Sequence, residues 1–301
     1  MIIIDSISKW FGSFRVLDSV SFDVKNGEII GFVGPNGAGK TTTIRVCVGV
    51  LPLDSGDVFI NGYSIKENKR VASRYIGWVP EIPIFEPDEK ALNYFVYLAG
   101  YYGIGMSEAR ELGRKLLEEV GLGDAMKVKL KNFSLGMKKR FALAVSMINN
   151  PDNFLFDEVL NGLDPVGMAF FRDLVKKFKK DNKAVLFSSH ILKEVEDIVD
   201  RVVFINKGRV AKVMTIDEVK TSLKPVLIVK LRTLDDKAID IARDYGESVR
   251  VEKNSIYIIN PRVEPANIIE AFVRSGYKVE EVKKEEASLE EVFFRIIGET
   301  K

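Results

Sequence analysis

The sequence predicts an α/β fold, a mainly parallel sheet with helices around it, followed by a small α+β domain. Three observations carry this. Strand-length apolar runs alternate with helical segments over roughly the first 215 residues. A glycine-rich stretch, GPNGAGKTT (Gly34 to Thr42), sits where one such strand should meet a helix. Near Pro225 the pattern changes to shorter strand and helix segments.

The predicted strands of the first part are Ile2–Ile4, Val20–Val24, Glu28–Val33, Asp57–Ile60, Tyr75–Val79, Phe154–Phe156, Ala184–Phe187 and Arg201–Ile205. Several are unbroken apolar runs, as expected of strands covered on both faces. Between Pro87 and Asn150 helical spacing takes over, with Leu112, Leu116, Leu117 and Val120 on one face, so a helical insertion of about 87–150 is expected within a first domain of 1–220. In the second domain, 221–301, Val226–Leu231 reads as a strand, Asp235–Tyr245 as a helix, and Val249–Val251 with Ile256–Ile259 as a hairpin. Val263–Gly276 then reads as a helix and Lys278–Val282 as a strand, a β-α-β-β-α-β order that suggests a ferredoxin-like unit. A last helix opens on Ser288 with a Ser-x-x-Glu capping box.

Composition narrows the classes. The chain of 301 residues has 45 basic and 43 acidic side chains, net charge +2, so no global field points to nucleic acid or an anionic membrane. The one cysteine, Cys47, excludes an intramolecular disulfide, suits a reducing compartment, and reads as a small buried thiol. No secretory signal is visible before Asp5 and Lys9, and no run approaches the ~18 apolar residues of a membrane span. The longest candidate, Ala91 to Met106, is broken by Asn93 and glycines. Work at a membrane is therefore expected to go through a partner. The chain contains no glutamine, while Lys and Glu are abundant, a bias similar to that of proteins from hot environments.

The chemistry starts at Gly34 to Thr42, which satisfies G-x-x-x-x-G-K-[ST] through Gly34, Gly39, Lys40 and Thr41, with Pro35, Asn36, Gly37, Ala38 and Thr42 completing the loop. Such a loop turns successive N–H groups toward a phosphate chain, and the helix after it contributes its positive end. Lys40 adds a charge and the Thr41 hydroxyl suits Mg²⁺. Nucleotide binding is expected. Asp157 and Glu158 follow the apolar NFLF strand, where a parallel sheet presents its ligands; Asp157 suits Mg²⁺, and Glu158 can take a proton from an attacking water. The only histidine, His190, ends the strand AVLFSSH and is expected at the same edge, within reach of a γ-phosphate.

The remaining motifs carry a specific resemblance. FSLGMKKR (Phe133 to Arg140) resembles the signature motif of ATP-binding cassette (ABC) ATPases, and NGLDP (Asn161 to Pro165) resembles their D-loop. His190 matches the family's switch histidine, and Phe11 in KWFG matches the aromatic on which adenine stacks. The motifs fall in the family's order over roughly residues 1–215. The SLGMKKR form and the C-terminal SLEEVFFRIIG are similar to ATPase subunits of the ABC-2 or drug-exporter type.

The resemblance implies a P-loop NTPase fold, the ABC cassette, and an ATP hydrolase with ATP and Mg²⁺ as cofactors. It implies two cassettes, identical or different, closing head to tail around ATP and driving separate transmembrane permease subunits from the cytoplasmic face of the membrane. Gly37 to Thr42 would cradle the phosphates, Thr41 and Asp157 would serve Mg²⁺, Glu158 would be the base, and His190 would hold the water and γ-phosphate. Ser134 and Gly136 would reach the partner's ATP, and Asp164 would organise the seam. Leu135 and Met137 stand where the family usually has glycine and glutamine. Glu81 stands where the family's glutamine contacts Mg²⁺ and the attacking water. A carboxylate there can ligate Mg²⁺ but adds negative charge beside the γ-phosphate, which would slow hydrolysis or make it depend more on the partner. The other reading is simply a chain without glutamine. The aromatic stretch Ile84 to Tyr102 corresponds to the groove that receives a coupling helix, with ordinary packing as the other reading.

Competing classes fit less well. A phosphate-loop kinase or GTPase leaves the signature unexplained and lacks an N-K-x-D motif. Chromosome-type ATPases would need a long coiled coil between Lys40 and Ser134, and translation-factor ATPases normally carry two cassettes. A non-transport ABC ATPase acting on nucleic acid or ribosomes is the alternative, with no nucleic-acid partner expected from the charge balance. For the second domain, a role in pairing subunits or in regulation is implied by the resemblance alone.

Overall fold

The computed structural model describes residues 1–190, 195–222 and 225–285. The helix expected from Ser288 lies outside the described residues. The chain divides into two compact units, one over Met1–Ile216 and a second from Asp217 onward.

The first unit opens with a long hairpin, β1 (Ile2–Phe11) and β2 (Phe14–Val24). Next come β3 (Ile29–Val33), α1 (Lys40–Cys47), β4 (Ser55–Ile60), β5 (Tyr63–Ser64), the short α2 (Lys69–Ala72) and β6 (Ile76–Val79). The helical stretch contains α3 (Ala91–Gly100), α4 (Met106–Glu119) and α5 (Leu135–Ser146). The chain then returns to the sheet through β7 (Asn153–Phe156), α6 (Pro165–Lys180), β8 (Ala184–Ser189), β9 (Arg201–Asn206) and β10 (Arg209–Thr215), with α7 (Ile216–Ser222) at the boundary.

Two sheets result. One is antiparallel, in the order β2-β1-β4-β5; the other has six strands in the order β10-β9-β3-β8-β7-β6. Within the six, β9-β3-β8-β7-β6 are parallel and only β10 runs against its neighbour. Strands β3, β7 and β8 are buried at every position, which explains the apolar runs Phe154–Phe156 and Ala184–Phe187 within the last two. Ile2, Ile4, Val58 and Ile60 of the antiparallel sheet share a core with Ile44 of α1 and with Phe32, Leu155 and Leu186 of the other sheet. Each side chain fully buried there contributes about 1.5–3 kcal/mol. On α6, Phe178 stacks on Phe154 at 3.9 Å and Phe171 meets Phe187 edge-on at 5.7 Å between ring centres.

Two differences from the sequence reading concern the edge strands. The first hairpin extends well beyond Ile2–Ile4 and Val20–Val24, because its polar middle is paired through the backbone from Ile2 with Val24 to Phe11 with Phe14. Strand β10 was not foreseen; it lies at the sheet edge, and its RVAKVMT sequence carries little apolar signal.

The second unit contains β11 (Val226–Leu231), α8 (Asp236–Tyr245), β12 (Ser248–Glu252), β13 (Ser255–Ile259), α9 (Pro265–Arg274) and β14 (Val279–Glu285). Its sheet runs β12-β13-β11-β14 with antiparallel neighbours. Leu227, Val229 and Leu231 pack with Ile256, Ile258, Ile268 and Phe272 to form its core.

Candidate functional site

Parallel strands end on one edge of a sheet, and here four neighbours carry the chemistry to that edge. In spatial order they are β3, β8, β7 and β6. The glycine-rich loop leaves β3, His190 follows β8, Asp157 and Glu158 follow β7, and Glu81 comes two residues after β6. The register aligns Val33 with Ser189 and Val79 with Phe156, so these side chains start from one level.

The loop from Gly34 to Thr42 has the glycines its path requires. A Cβ on Gly34 would lie 2.3 Å from the Ile205 carbonyl oxygen. Gly39 sits at φ 109°, and a Cβ there would lie 2.7 Å from the Leu17 side chain. Lys40, the first residue of α1, is 5% exposed; its Nζ donates to the Gly34 carbonyl at 2.7 Å and pairs with Glu158 Oε1 at 3.2 Å. Thr41 Oγ1 donates to Asp157 Oδ1 at 3.1 Å. The same carboxylate oxygen accepts from Ser188 Oγ at 2.8 Å.

Asp157 is buried with hydroxyl partners, and burial raises its carboxyl above the usual range, with the charges of Glu81 and Glu158 adding to the effect. A buried carboxylate beside a threonine hydroxyl, with a further carboxylate close by, is a hard-oxygen donor set. It fits Mg²⁺, which takes one or two protein oxygens and fills the rest of its shell with phosphate and water. Among the described residues no group of three or more His, Cys, Asp or Glu is built as a metal cage.

Glu158 is held from several sides. Its N–H donates to Ser188 Oγ at 2.9 Å, and its main-chain carbonyl accepts from Lys139 Nζ. On the side chain, Oε2 lies 2.9 Å from His190 Nδ1 and accepts from Asn161 Nδ2 at 3.2 Å. Its backbone lies at φ 45°, a left-handed conformation that a non-glycine residue keeps only when its surroundings enforce it. The sequence reading gave Ser188, Asn161 and Lys139 no role beside Glu158, naming Asn161 and Lys139 only within the NGLDP and FSLGMKKR motifs. Ser188 lies two residues before the conspicuous His190, and Lys139 lies inside the FSLGMKKR motif, where Ser134 and Gly136 carried the reading. A signal for Lys139 existed: it precedes the buried Ala142 and Leu143 by three and four residues, on the inner face of α5.

A second group forms where α5 and α6 begin. Ser134 caps α5, its Oγ accepting from the Met137 N–H at 3.2 Å. Asp164 caps α6, accepting from the Gly167 N–H at 2.7 Å and from Arg140 Nη2 at 2.8 Å; these partners hold its carboxyl below the usual range, the Gly167 N–H most of all. A Cβ on Gly136 would lie 3.1 Å from the Gly162 carbonyl, tighter than ordinary contact, so glycine suits the close approach of the start of α5 to the loop before α6. Ser134, Leu135, Asp164 and Val166 are exposed here. The structure therefore sorts the expected residues into two clusters. Lys40, Thr41, Asp157, Glu158 and His190 are joined by direct contacts, while Ser134, Gly136 and Asp164 line an exposed surface.

Phe11 sits at the tip of the first hairpin, half exposed, with Lys9 Nζ 5.8 Å from its ring centre. The aromatic stretch splits in two. Phe95 is buried and Phe85 packs on Tyr94 and Phe141, whereas Ile84, Tyr97, Tyr101 and Tyr102 are exposed. Cys47 is fully buried, and burial pushes its thiol far above the usual range.

Comparison with known proteins gives a consistent result. The family model described as ABC transporter matches residues 17–161. An uncharacterized ABC transporter ATP-binding protein of Bacillus subtilis, YhcH, is 32% identical over 98% of this chain and 95% of its own length. The bacitracin transport ATP-binding protein BcrA of Bacillus licheniformis is 33% identical, covering 97% of this chain and 95% of that protein. Among solved structures, an ATP-binding subunit of an ABC transporter superposes with a TM-score of 0.68 at 27% identity, over 74% of this chain and 92% of its own. A bacterial ABC transporter cassette solved as a dimer reaches 0.67 at 21% identity, covering 72% of this chain and 99% of that one, which speaks to fold.

Proposed function

Because the chain belongs to the ABC transporter family of ATP-binding proteins, we propose that it powers an exporter by closing and opening as one of a pair of cassettes around ATP. It is an ATP-hydrolysing transporter subunit, and the relatives named for bacitracin and lantibiotic transport favour an exporter of the drug or peptide class. The single observation that carries the catalytic reading is the contact chain Thr41–Asp157–Ser188–Glu158–His190, with Lys40 on the Glu158 carboxylate.

In this reading the loop N–H groups and the start of α1 receive the ATP phosphates, and Lys40 contributes its charge. Phe11 offers its exposed ring to adenine. Thr41 and Asp157 would hold Mg²⁺, with Glu81 beside them; the ion would offset charge developing on the phosphate oxygens. Glu158 accepts the proton of the attacking water, and His190, hydrogen-bonded to the same carboxylate, orients water and γ-phosphate. The exposed starts of α5 and α6, with Ser134, Gly136 and Asp164, meet the nucleotide of the second subunit. Exposed Ile84, Tyr97, Tyr101 and Tyr102 form the surface on which a permease segment docks at the cytoplasmic face of the membrane.

Glu158→Gln tests the reading. The carboxamide keeps the shape but cannot take the proton, so the variant should bind ATP and accumulate as an ATP-dependent dimer in size-exclusion chromatography. A variant that hydrolyses ATP at the wild-type rate removes Glu158 as the base.

A further inference from the structure

A lysine is rarely buried completely, because desolvating an ammonium is costly unless partners surround it. Lys139 is 1% exposed. It belongs to α5, the helix that begins at Ser134, yet its Nζ reaches across to the main-chain carbonyl of Glu158 at the end of β7. Three carboxylates act on its charge: Glu158 and Asp157 after β7, and Glu81 after β6. Among the described residues the other ammonium at this edge is Lys40, paired with Glu158. Without Lys139, these three carboxylates would be left with Lys40 as the one ammonium among the described residues. The carbonyl it binds follows a strained Cα, since Glu158 sits at φ 45° and its N–H on the other side is held by Ser188.

We propose that Lys139 is a positioning residue for hydrolysis: it clamps the main chain of Glu158 from the signature helix and offsets the extra negative charge that Glu81 brings to the site. This rests on Glu158 acting as the base. Two physical consequences follow. The clamp fixes where the Glu158 carboxylate starts, and a small displacement of a catalytic group is costly in rate. Ser134 and Lys139 lie on one helix about 7.5 Å apart along its axis. Contact with a second subunit's nucleotide at Ser134 therefore bears mechanically on the subunit's own Glu158.

The test uses the full chain with ATP and Mg²⁺, measuring kcat, KM and, in EDTA, the ATP dissociation constant, together with thermal melting. Lys139→Met removes charge and hydrogen bond at nearly constant length, and kcat should fall about tenfold to a hundredfold while ATP affinity stays within about threefold of wild type. Lys139→Gln keeps a donor but leaves Glu81 unbalanced. Adding Glu81→Gln restores the original charge sum, so the double variant should turn over faster than Lys139→Gln alone.

Turnover of Lys139→Met within about twofold of wild type overturns the proposal. So does equal turnover of Lys139→Gln with and without Glu81→Gln. A loss of kcat matched by equal losses of ATP affinity and melting temperature would make Lys139 a packing residue and overturn it too. If Lys139→Met does not fold, the two glutamine variants decide alone. Glu158→Gln, run alongside, separates failure of this proposal from failure of the base assignment, which would show as hydrolysis in that variant.

Discussion

The two units of this chain use charge in opposite ways. In the first, Lys40, Lys139, Asp157 and Glu158 are buried at one edge of a parallel sheet, at the cost of desolvation and a left-handed backbone at Glu158. In the second, the buried side chains among the described residues are apolar, and pairs such as Arg243–Asp240 and Arg274–Glu270 lie on the surface. Exposed pairs of that kind contribute little to stability. The first unit thus retains an arrangement that lowers its own stability, and the second follows the ordinary rule of an apolar interior. Such a departure is expected where charge performs chemistry, because catalytic groups need low-dielectric surroundings and fixed neighbours.

If this contrast is functional, removing one buried carboxylate should affect rate far more than folding. Glu158→Gln should lower kcat by at least about a hundredfold, the lower range for loss of a general base, while the ATP dissociation constant stays near wild type. The check is steady-state ATPase alongside nucleotide binding. A variant that lost binding and folding together would make Glu158 a structural charge and erase the contrast.

The opposite outcome is expected in the second unit. Phe272 is fully buried and packs edge-on against Tyr277 at 6.2 Å between ring centres. Phe272→Ala should cost that unit about 3–5 kcal/mol, because the cavity it leaves closes only in part. Melting followed by tyrosine fluorescence would report the loss, and ATP affinity should stay within about twofold of wild type. A parallel collapse of ATP binding would show that the two units fold as one.

The same contrast decides what could be read beforehand. The buried parallel strands were legible because burial on both faces leaves continuous apolar runs, as in Phe154–Phe156 and Ala184–Phe187. The loop, Asp157, Glu158 and His190 were legible because they stand directly at strand ends, where topology carries them to one edge. Residues that reach the site from elsewhere were not. Lys139 comes from a helix rather than a strand end, and nothing in KKR separates it from the half-buried Lys138 and Arg140 except the helical spacing of Ala142 and Leu143. Ser188 was hidden for a different reason, since a serine in a buried strand shows its purpose only when its partners, Asp157 and Glu158, are known. In the second unit Leu227, Val229 and Leu231 alternate along one strand into an apolar core, and among the described residues no buried charge interrupts that signal.

The smallest effect expected is a pH response confined to the second unit's surface. Asp235 caps α8, accepting from the Ala238 N–H at 2.9 Å, and also accepts from the Tyr277 hydroxyl. The Tyr277 hydroxyl, then the Ala238 N–H, hold the Asp235 carboxyl below its usual value of 3.8, and Asp235 pushes the Tyr277 phenol up to about 12. Because the acid is depressed in the folded state, its contribution is complete above the ordinary carboxyl value and is lost as pH falls through the depressed one. Because the phenol is raised, its contribution is complete below the usual tyrosine value of 10.0 and is lost as pH rises through about 12. Melting of the second unit should therefore weaken slightly at both extremes, and solvent exposure keeps the effect small. Asp235→Asn, which can still cap the helix but carries no charge, should flatten the acid side, and Tyr277→Phe should flatten the alkaline side. If neither variant changes the pH profile, the Asp235–Tyr277 bond contributes nothing, and the second unit is held by its apolar core alone.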